Sequence, residues 1–285
     1  MKTKNHSQDF MRLLVSLDAG YLDQLCVLLV SIAVNDPTPQ FELYLLHSSL
    51  TEEELQRVEV CCRQTRMIFH PIRVGDDLYS DAPASKRYPK EMYYRLLAGE
   101  LLPEQVDKAL YLDPDILVIN PLRALWEMEL GDALFAAGSH TGKTELSNNV
   151  NRLRLKTEHD YYNSGVLLID LKRCREQITP EALFQYVRTH ENELLLPDQD
   201  VLNALYGKQV LPIDDALWNY DARNYQTYLL RSGGARDLSW VMANTSILHF
   251  CGKAKPWMPG YPYRFGLLYR HYMQITQRWM EQTAH

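Results

Sequence analysis

The run Tyr111-Leu112-Asp113-Pro114-Asp115-Ile116-Leu117-Val118 sets two carboxylates two residues apart at the end of an apolar stretch. In extended backbone, residues i and i+2 share a face, so Asp113 and Asp115 can hold one cation between them. Hard oxygen donors suit Mg, Mn or Ca, and an ion there could neutralise a diphosphate leaving group in the crevice beyond the strand ends. Spacing alone does not establish this, because the same triplet recurs at Asp198-Gln199-Asp200. Turn and capping carboxylates account for a lone D-x-D equally well. The other residues with chemistry have ordinary readings when taken singly. His249 stands in an apolar stretch where a packed imidazole is the usual outcome, and Lys255 reads as a surface charge. Asp198 reads as a cap for a helix over Gln199–Tyr206 and Asn163 as a turn former.

The elements that must position these groups follow from periodicity. Leu13–Leu17 has the composition of a buried strand and Gln24–Val34 that of a largely buried helix. Phe41–His47 is a second strand, followed by a helix announced by Thr51 and Glu54 at capping-box spacing, with Leu50 and Leu55 as its staple. Met67–Phe69 gives a third strand. Arg73–Pro89 is a polar, turn-rich loop, and a helix is expected over Glu91–Leu101. Lys108–Leu112 leads into the aspartate pair, where Pro114 prevents one continuous central strand before Ile116–Ile119. Leu134–Ala137 and Val166–Ile169 are further short strands, separated by about twenty-five polar and irregular residues by the same pattern reading. Pro197–Tyr206 and Tyr263–Gln282 carry helical patterns. The alternation predicts an α/β fold with a mostly parallel, Rossmann-like sheet flanked by helices, and a less regular C-terminal portion, in one domain spanning 1–285.

Composition narrows the function. The 285 residues carry 30 Lys+Arg against 36 Asp+Glu, a formal charge of -6 that argues against a general nucleic-acid binder, including the basic, aromatic stretch Lys86–Arg95. The longest apolar run, Leu25–Val34, is interrupted by Ser31 and is too short to span a bilayer. The first ten residues are polar and lack a secretory signal pattern, and the five cysteines are odd in number without a C-x-x-C pair. Free thiols in a reducing cytoplasm are expected.

The D-x-D block has five companions in a fixed order. Leu14-Val15-Ser16-Leu17-Asp18-Ala19-Gly20-Tyr21 and Tyr94-Arg95-Leu96 precede it. Tyr162-Asn163-Ser164-Gly165-Val166-Leu167-Leu168-Ile169-Asp170-Leu171, Pro197-Asp198-Gln199-Asp200-Val201-Leu202-Asn203 and Leu248-His249-Phe250-Cys251-Gly252-Lys253-Ala254-Lys255-Pro256-Trp257 follow. Across about 12–257 the chain resembles the family 8 glycosyltransferases, retaining enzymes of the GT-A fold that use nucleotide-sugar donors. Residues 258–285 form a helical C-terminal segment outside the match.

The resemblance implies a role for each matching position. Asp18 and Tyr21 would hold the uracil and ribose of a UDP-sugar, beside Pro114 of the D-x-D turn. Asp113, Asp115 and His249 would be metal ligands, and the imidazole tilts the expected ion toward Mn2+, with Mg2+ the alternative. Gly252 would let backbone approach a phosphate and Lys255 would face the departing diphosphate. Arg95 and Asn163 would address the donor sugar, Asp198 would bind its hydroxyls and act with Gln199, which lies beneath the anomeric carbon in family members. An amide is a poor nucleophile, so the resemblance implies front-face attack rather than the two-step route of retaining glycosidases.

The implied reaction moves a hexose, galactose or glucose, from a UDP-sugar to a hydroxyl on a saccharide or glycolipid, as in lipopolysaccharide biosynthesis. Ala19 and Gly20 depart from the Asp and Asn of many relatives, and His140 replaces an acidic residue of galactosyltransferase members. Ser139–Tyr161 and Asp221–Ala243 match little, as expected of loops that shape an acceptor site. The expected location is cytoplasmic, at most with weak peripheral contact at the inner face of the membrane through the C-terminal helix with Arg264, Arg270 and Arg278. Two other readings stand beside this one. A nucleotide-sugar-binding protein that has lost transfer would need the same residues only in part, and a metal-dependent nucleotidyltransferase or phosphohydrolase would leave the companion blocks unexplained.

Overall fold

The structure, a computed structural model, describes residues 10–37, 40–75, 90–139 and 145–281, with side chains omitted at 90 and 145–149. Its main sheet uses β1 (Phe10–Ser16), β2 (Gln40–His47), β3 (Ile68–Arg73), β4 (Lys108–Leu112), β6 (Phe135–Gly138), β7 (Val166–Asp170) and β8 (Val210–Ile213). A smaller sheet uses β5 (Ile116–Val118), β9 (Tyr220–Asp221) and β10 (Ile247–His249). The order β3-β2-β1-β4-β7-β6-β8 is parallel except where β7 meets β4 and β6. The expectation of a mostly parallel α/β sheet holds.

Side-chain alternation divides the core into two layers. Leu14, Tyr44, Leu46, Ala109, Tyr111 and Leu167 face one side of the sheet, and Leu13, Leu43, Leu45, Leu110, Leu112 and Leu168 face the other. The helices Leu22–Asn35 and Glu52–Gln64 cover the second side, the latter opened by the expected Thr51/Glu54 capping box. Ser31, which interrupts the first helix's apolar run, has a structural use. Its hydroxyl accepts the Val118 N–H at 3.0 Å on the flank of β5 that, among the described residues, no strand pairs, and so satisfies a buried donor.

Pro114 separates β4 from β5 as expected, and the chain crosses there from the large sheet to the small one. β1 has its sequence neighbour β2 on one side and β4 on the other, so connections run in opposite directions from the β1/β4 seam. The crevice beyond such a switch point is where open α/β sheets bind ligands.

Several local expectations need correction. Glu91–Leu101 is not one helix but a tight turn at Lys90–Tyr93 and a helical turn at Ala98–Leu101. Tyr93 through Ala98 are all buried, and one helix cannot bury every face at the edge of a domain. β3 runs beyond Phe69 to Arg73, through Pro71, because an edge strand can forgo that N–H. The polar interval between β6 and β7 contains a helix at Glu145–Leu155. Helix Pro197–Val201 continues as a wider π-type turn over Leu202–Tyr206.

The C-terminal helix Gly266–Glu281 packs as its spacing predicts, with Phe265, Tyr269 and Tyr272 buried against the smaller sheet. No disulfide joins any of the five cysteines, and Cys26, Cys61, Cys62 and Cys174 are buried. Among the described residues, no helix is long and apolar enough to cross a membrane. Most of the Arg73–Pro89 loop, and His140, lie outside the described residues.

Candidate active site

The site is assembled by strand register. Asp113 leaves β4 with its N–H on the Gly165 carbonyl at 2.8 Å, which fixes the D-x-D turn against the start of β7. β10 runs antiparallel to β5 with His249 opposite Ile116, so the imidazole arrives beside Asp115, and the Phe250 N–H closes on the Asp115 carbonyl at 3.0 Å. His249 Nε2 then lies 3.2 Å from Asp115 Oδ1 and 3.7 Å from Asp113 Oδ2. One ligand atom from each of the three residues falls within 4.8 Å of the others. Two carboxylates and an imidazole suit a divalent ion. Gly165 makes room for this cluster. A methyl group there would stand 2.3 Å from His249 Cε1 and 2.5 Å from Asp113 Oδ2.

A cavity of about 220 Å³ opens at the β1/β4 seam, lined by Ser16, Asp18, Tyr21, Arg95 and the turn Asp113-Pro114-Asp115. Six residues expected in a donor site, from three separate sequence blocks, therefore share one wall. Asp18 caps the turn Ala19–Tyr21 through Gly20 N–H at 2.8 Å, and the Tyr21 ring meets Trp257 edge-on at 6.3 Å.

Electrostatics knit the rest together. Buried Arg95 donates to the Ser164 carbonyl at 3.0 Å and pairs with Asp113 at 3.0 Å and Asp198 at 3.3 Å. It therefore links the D-x-D turn to the helix that carries Gln199. Lys255 contacts Asp115 and donates to the Phe250 carbonyl at 3.0 Å. Burial opposes the charge on His249, but Cys251 and Asp115 outweigh it and hold its pKa well above the ordinary imidazole value. Burial likewise opposes ionisation of Asp115, yet His249 and Lys255 hold that carboxyl well below its usual range. Burial raises Asp198, with Arg95 pulling the other way. A divalent cation entering the cluster would displace the His249 Nε2 proton and the Lys255 contact, which are cationic substitutes for it.

Gln199 Oε1 accepts from Asn163 Nδ2 at 2.9 Å and Ser164 N–H at 3.4 Å. Asp198 accepts from Ser164 Oγ at 2.9 Å and does not cap its helix. The helix opens at Pro197, and Asp200 receives the Leu195 and Leu196 N–H groups instead. Gly252 has φ +86, a left-handed conformation that favours glycine, and a Cβ there would stand 2.4 Å from Arg223 Nη1. Residues that spacing did not single out include Asn219, whose Oδ1 meets His249 Nδ1 at 2.8 Å, and Tyr111, whose hydroxyl donates to Asp113 at 2.9 Å. The only sequence signal for Asn219 is a lone amide inside Ala216-Leu217-Trp218-Asn219-Tyr220.

Residues 12–259 match the family described as glycosyl transferase family 8, nearly the whole chain. The chain belongs to glycosyl transferase family 8. It is 27% identical over 277 residues to general stress protein A of Bacillus subtilis (strain 168), covering 94% of this chain and 95% of that protein. It is 24% identical over 259 residues to lipopolysaccharide 1,2-glucosyltransferase of Escherichia coli (strain K12), covering 88% and 74%. Its fold is similar to the crystal structure of galactosyltransferase LgtC in complex with donor and acceptor sugar analogs, with a TM-score of 0.77 at 24% identity over 93% and 96% of the two chains. The α/β architecture is thus the GT-A fold of family 8.

Proposed function

We propose that this family 8 member transfers a hexose, glucose or galactose, from a UDP-sugar to a hydroxyl of a saccharide or glycolipid with retention at the anomeric carbon, using Mn2+ held by Asp113, Asp115 and His249. One observation carries the reading: a ligand atom from each of the three residues falls within 4.8 Å of the others, and two of the three, Asp113 and Asp115, line the same cavity as Asp18 and Tyr21. A nucleotide stacked on Tyr21 would set its diphosphate over the cluster. The name of the Escherichia coli relative supports a saccharide-bearing lipid as acceptor. Action on the cytoplasmic side, with at most peripheral membrane contact, is part of the same proposal.

The ion, when bound, supplies positive charge to the diphosphate leaving group. Lys255, in contact with Asp115, adds a second charge for the departing phosphate oxygen. Asp198, held between Ser164 and Arg95, is placed to accept from sugar hydroxyls. The bond from the anomeric carbon to phosphate breaks and the bond to the acceptor oxygen forms on the same face, while the acceptor proton passes to the departing phosphate oxygen. Gln199 Oε1 already receives two N–H groups, which further weakens it as a nucleophile.

The test is thermal unfolding with UDP-glucose, UDP-galactose and UDP, each with Mn2+ and again with a chelator, followed by assay of UDP release. A ligand that binds only the native state at 100 times its Kd adds about 2.7 kcal/mol. A chelator-sensitive upward shift with a UDP-sugar is expected, and no shift with any uridine nucleotide would overturn the reading. Release of pyrophosphate or UMP instead of UDP would replace it with nucleotidyl transfer or phosphohydrolysis.

A further inference from the structure

One backbone N–H determines the orientation of a buried chain of side chains that runs from the metal cluster to the sugar side of the site. The Gly165 N–H points at Asn163 Oδ1 at 2.9 Å. A peptide N–H can only donate, so that atom of Asn163 must be its oxygen. The Asn219 atom 2.9 Å from the same oxygen must then be the NH2 nitrogen, and its other terminus is the oxygen. That oxygen faces His249 Nδ1 at 2.8 Å, so Nδ1 carries a proton. The lone pair available to a metal is therefore on Nε2, the nitrogen that faces Asp115 and Asp113. In the other direction, the NH2 of Asn163 meets Gln199 Oε1 at 2.9 Å, an assignment independently required by the Ser164 N–H.

Asn219 sits at the centre of this chain with none of its surface exposed, and β9, which it precedes, pairs with β10 beside His249. An amide accepts from the imidazole at one end and donates to Asn163 at the other. We propose that Asn219 is a positioning residue for transfer, orienting the His249 imidazole for the metal and the Asn163–Gln199 pair for the sugar through the two ends of one amide. This rests on the metal and donor assignment proposed above.

Two substitutions separate the ends. Asn219→Asp keeps an acceptor for His249 Nδ1–H but sets oxygen against Asn163 Oδ1, which the Gly165 N–H holds in place. Asn219→Ala removes both contacts. Mn2+ binding is measured in the presence of UDP from the EPR signal of free Mn2+, and kcat and KM come from UDP-sugar hydrolysis. For Asn219→Ala, Mn2+ affinity should fall about 10- to 100-fold, the usual cost of losing the partner of a metal-bound histidine. Asn219→Asp should hold Mn2+ affinity within about threefold of the unaltered chain while kcat falls at least tenfold, on the scale of a lost positioning contact.

If both variants keep the unaltered affinity, or both lose it equally, the two-ended role is overturned. If the unaltered chain binds no Mn2+ with UDP, the metal assignment itself fails, and the inference falls with it for that separate reason. A readout without substitution guards against a variant that does not fold. In the diamagnetic Mg2+–UDP complex, long-range 15N–1H spectra should show the His249 proton on Nδ1, and a proton on Nε2 would overturn the proposal.

Discussion

The chain contains two D-x-D triplets that differ only in their middle residue, and the structure puts them to unlike uses. Asp113-Pro114-Asp115 forms the turn between β4 and β5, and both carboxylates reach the same imidazole. Asp198-Gln199-Asp200 lies in the first turns of a helix, where residues two apart point roughly 200° apart. Asp198 turns to Arg95 and Ser164 at the cavity, while fully buried Asp200 turns away to Arg154, Tyr161 and the Leu195 and Leu196 amides. A shared spacing thus makes a cation cluster in one backbone conformation. In the other it makes one site carboxylate and one structural carboxylate.

The largest effect should come from Asp200, the fully buried carboxylate of the second triplet. Asp200→Ala leaves the Arg154 guanidinium, the Tyr161 hydroxyl and two amides without their acceptor, and should cost about 3–5 kcal/mol in urea unfolding. An unchanged unfolding midpoint would erase the contrast between the triplets. Asp113→Asn and Asp115→Asn should each reduce UDP-sugar turnover by about 10²–10³-fold or more, the scale of losing one charge-stabilising group. Far-UV circular dichroism should stay native. Turnover near that of the unaltered chain with either one would dissolve the cluster's side of the comparison.

Alkaline pH should act on the region of the second triplet. The helical turn after Asp200 ends at Tyr206, whose phenol is pushed up to about 12 by burial. An unfolded tyrosine ionises near 10, so its contribution is complete below pH 10 and is lost as pH rises to 12. Two units correspond to about 2.7 kcal/mol. Chemical unfolding measured from pH 9 to 12 should show that slope, and Tyr206→Phe should flatten part of it.

The smallest effect is expected at Asp198. Burial raises its pKa, so the folded state disfavours its charge; stability from this group is lost as pH rises through the folded pKa and regained on acidification. Asp198→Asn should therefore change stability by less than about 1 kcal/mol at pH 7, while KM for the UDP-sugar rises. A loss as large as that of Asp200→Ala would mean that both aspartates of the second triplet are structural.

What the sequence by itself determined is what local patterns encode. Strands β1, β2, β4 and β7, the Thr51 capping box and the break at Pro114 rest on side-chain periodicity, caps and a missing N–H, all of which act within a few residues. The six ordered blocks likewise marked the family and the residues lining the cavity. Tertiary structure decided which of these groups meet. His249 joins Asp115 only because β10 pairs with β5 across more than 130 residues of chain, at the register His249 to Ile116. Arg95 reaches Asp113 and Asp198 only because the expected helix over Glu91–Leu101 is broken at the residues that must be buried on every side. Asn219 has no signal of its own, since its use lies in two hydrogen bonds to residues 30 and 56 positions away. Local composition sets the conformation of each segment, but the direction of a buried polar group is fixed by the partner that satisfies it, and that partner comes from pairing between distant strands.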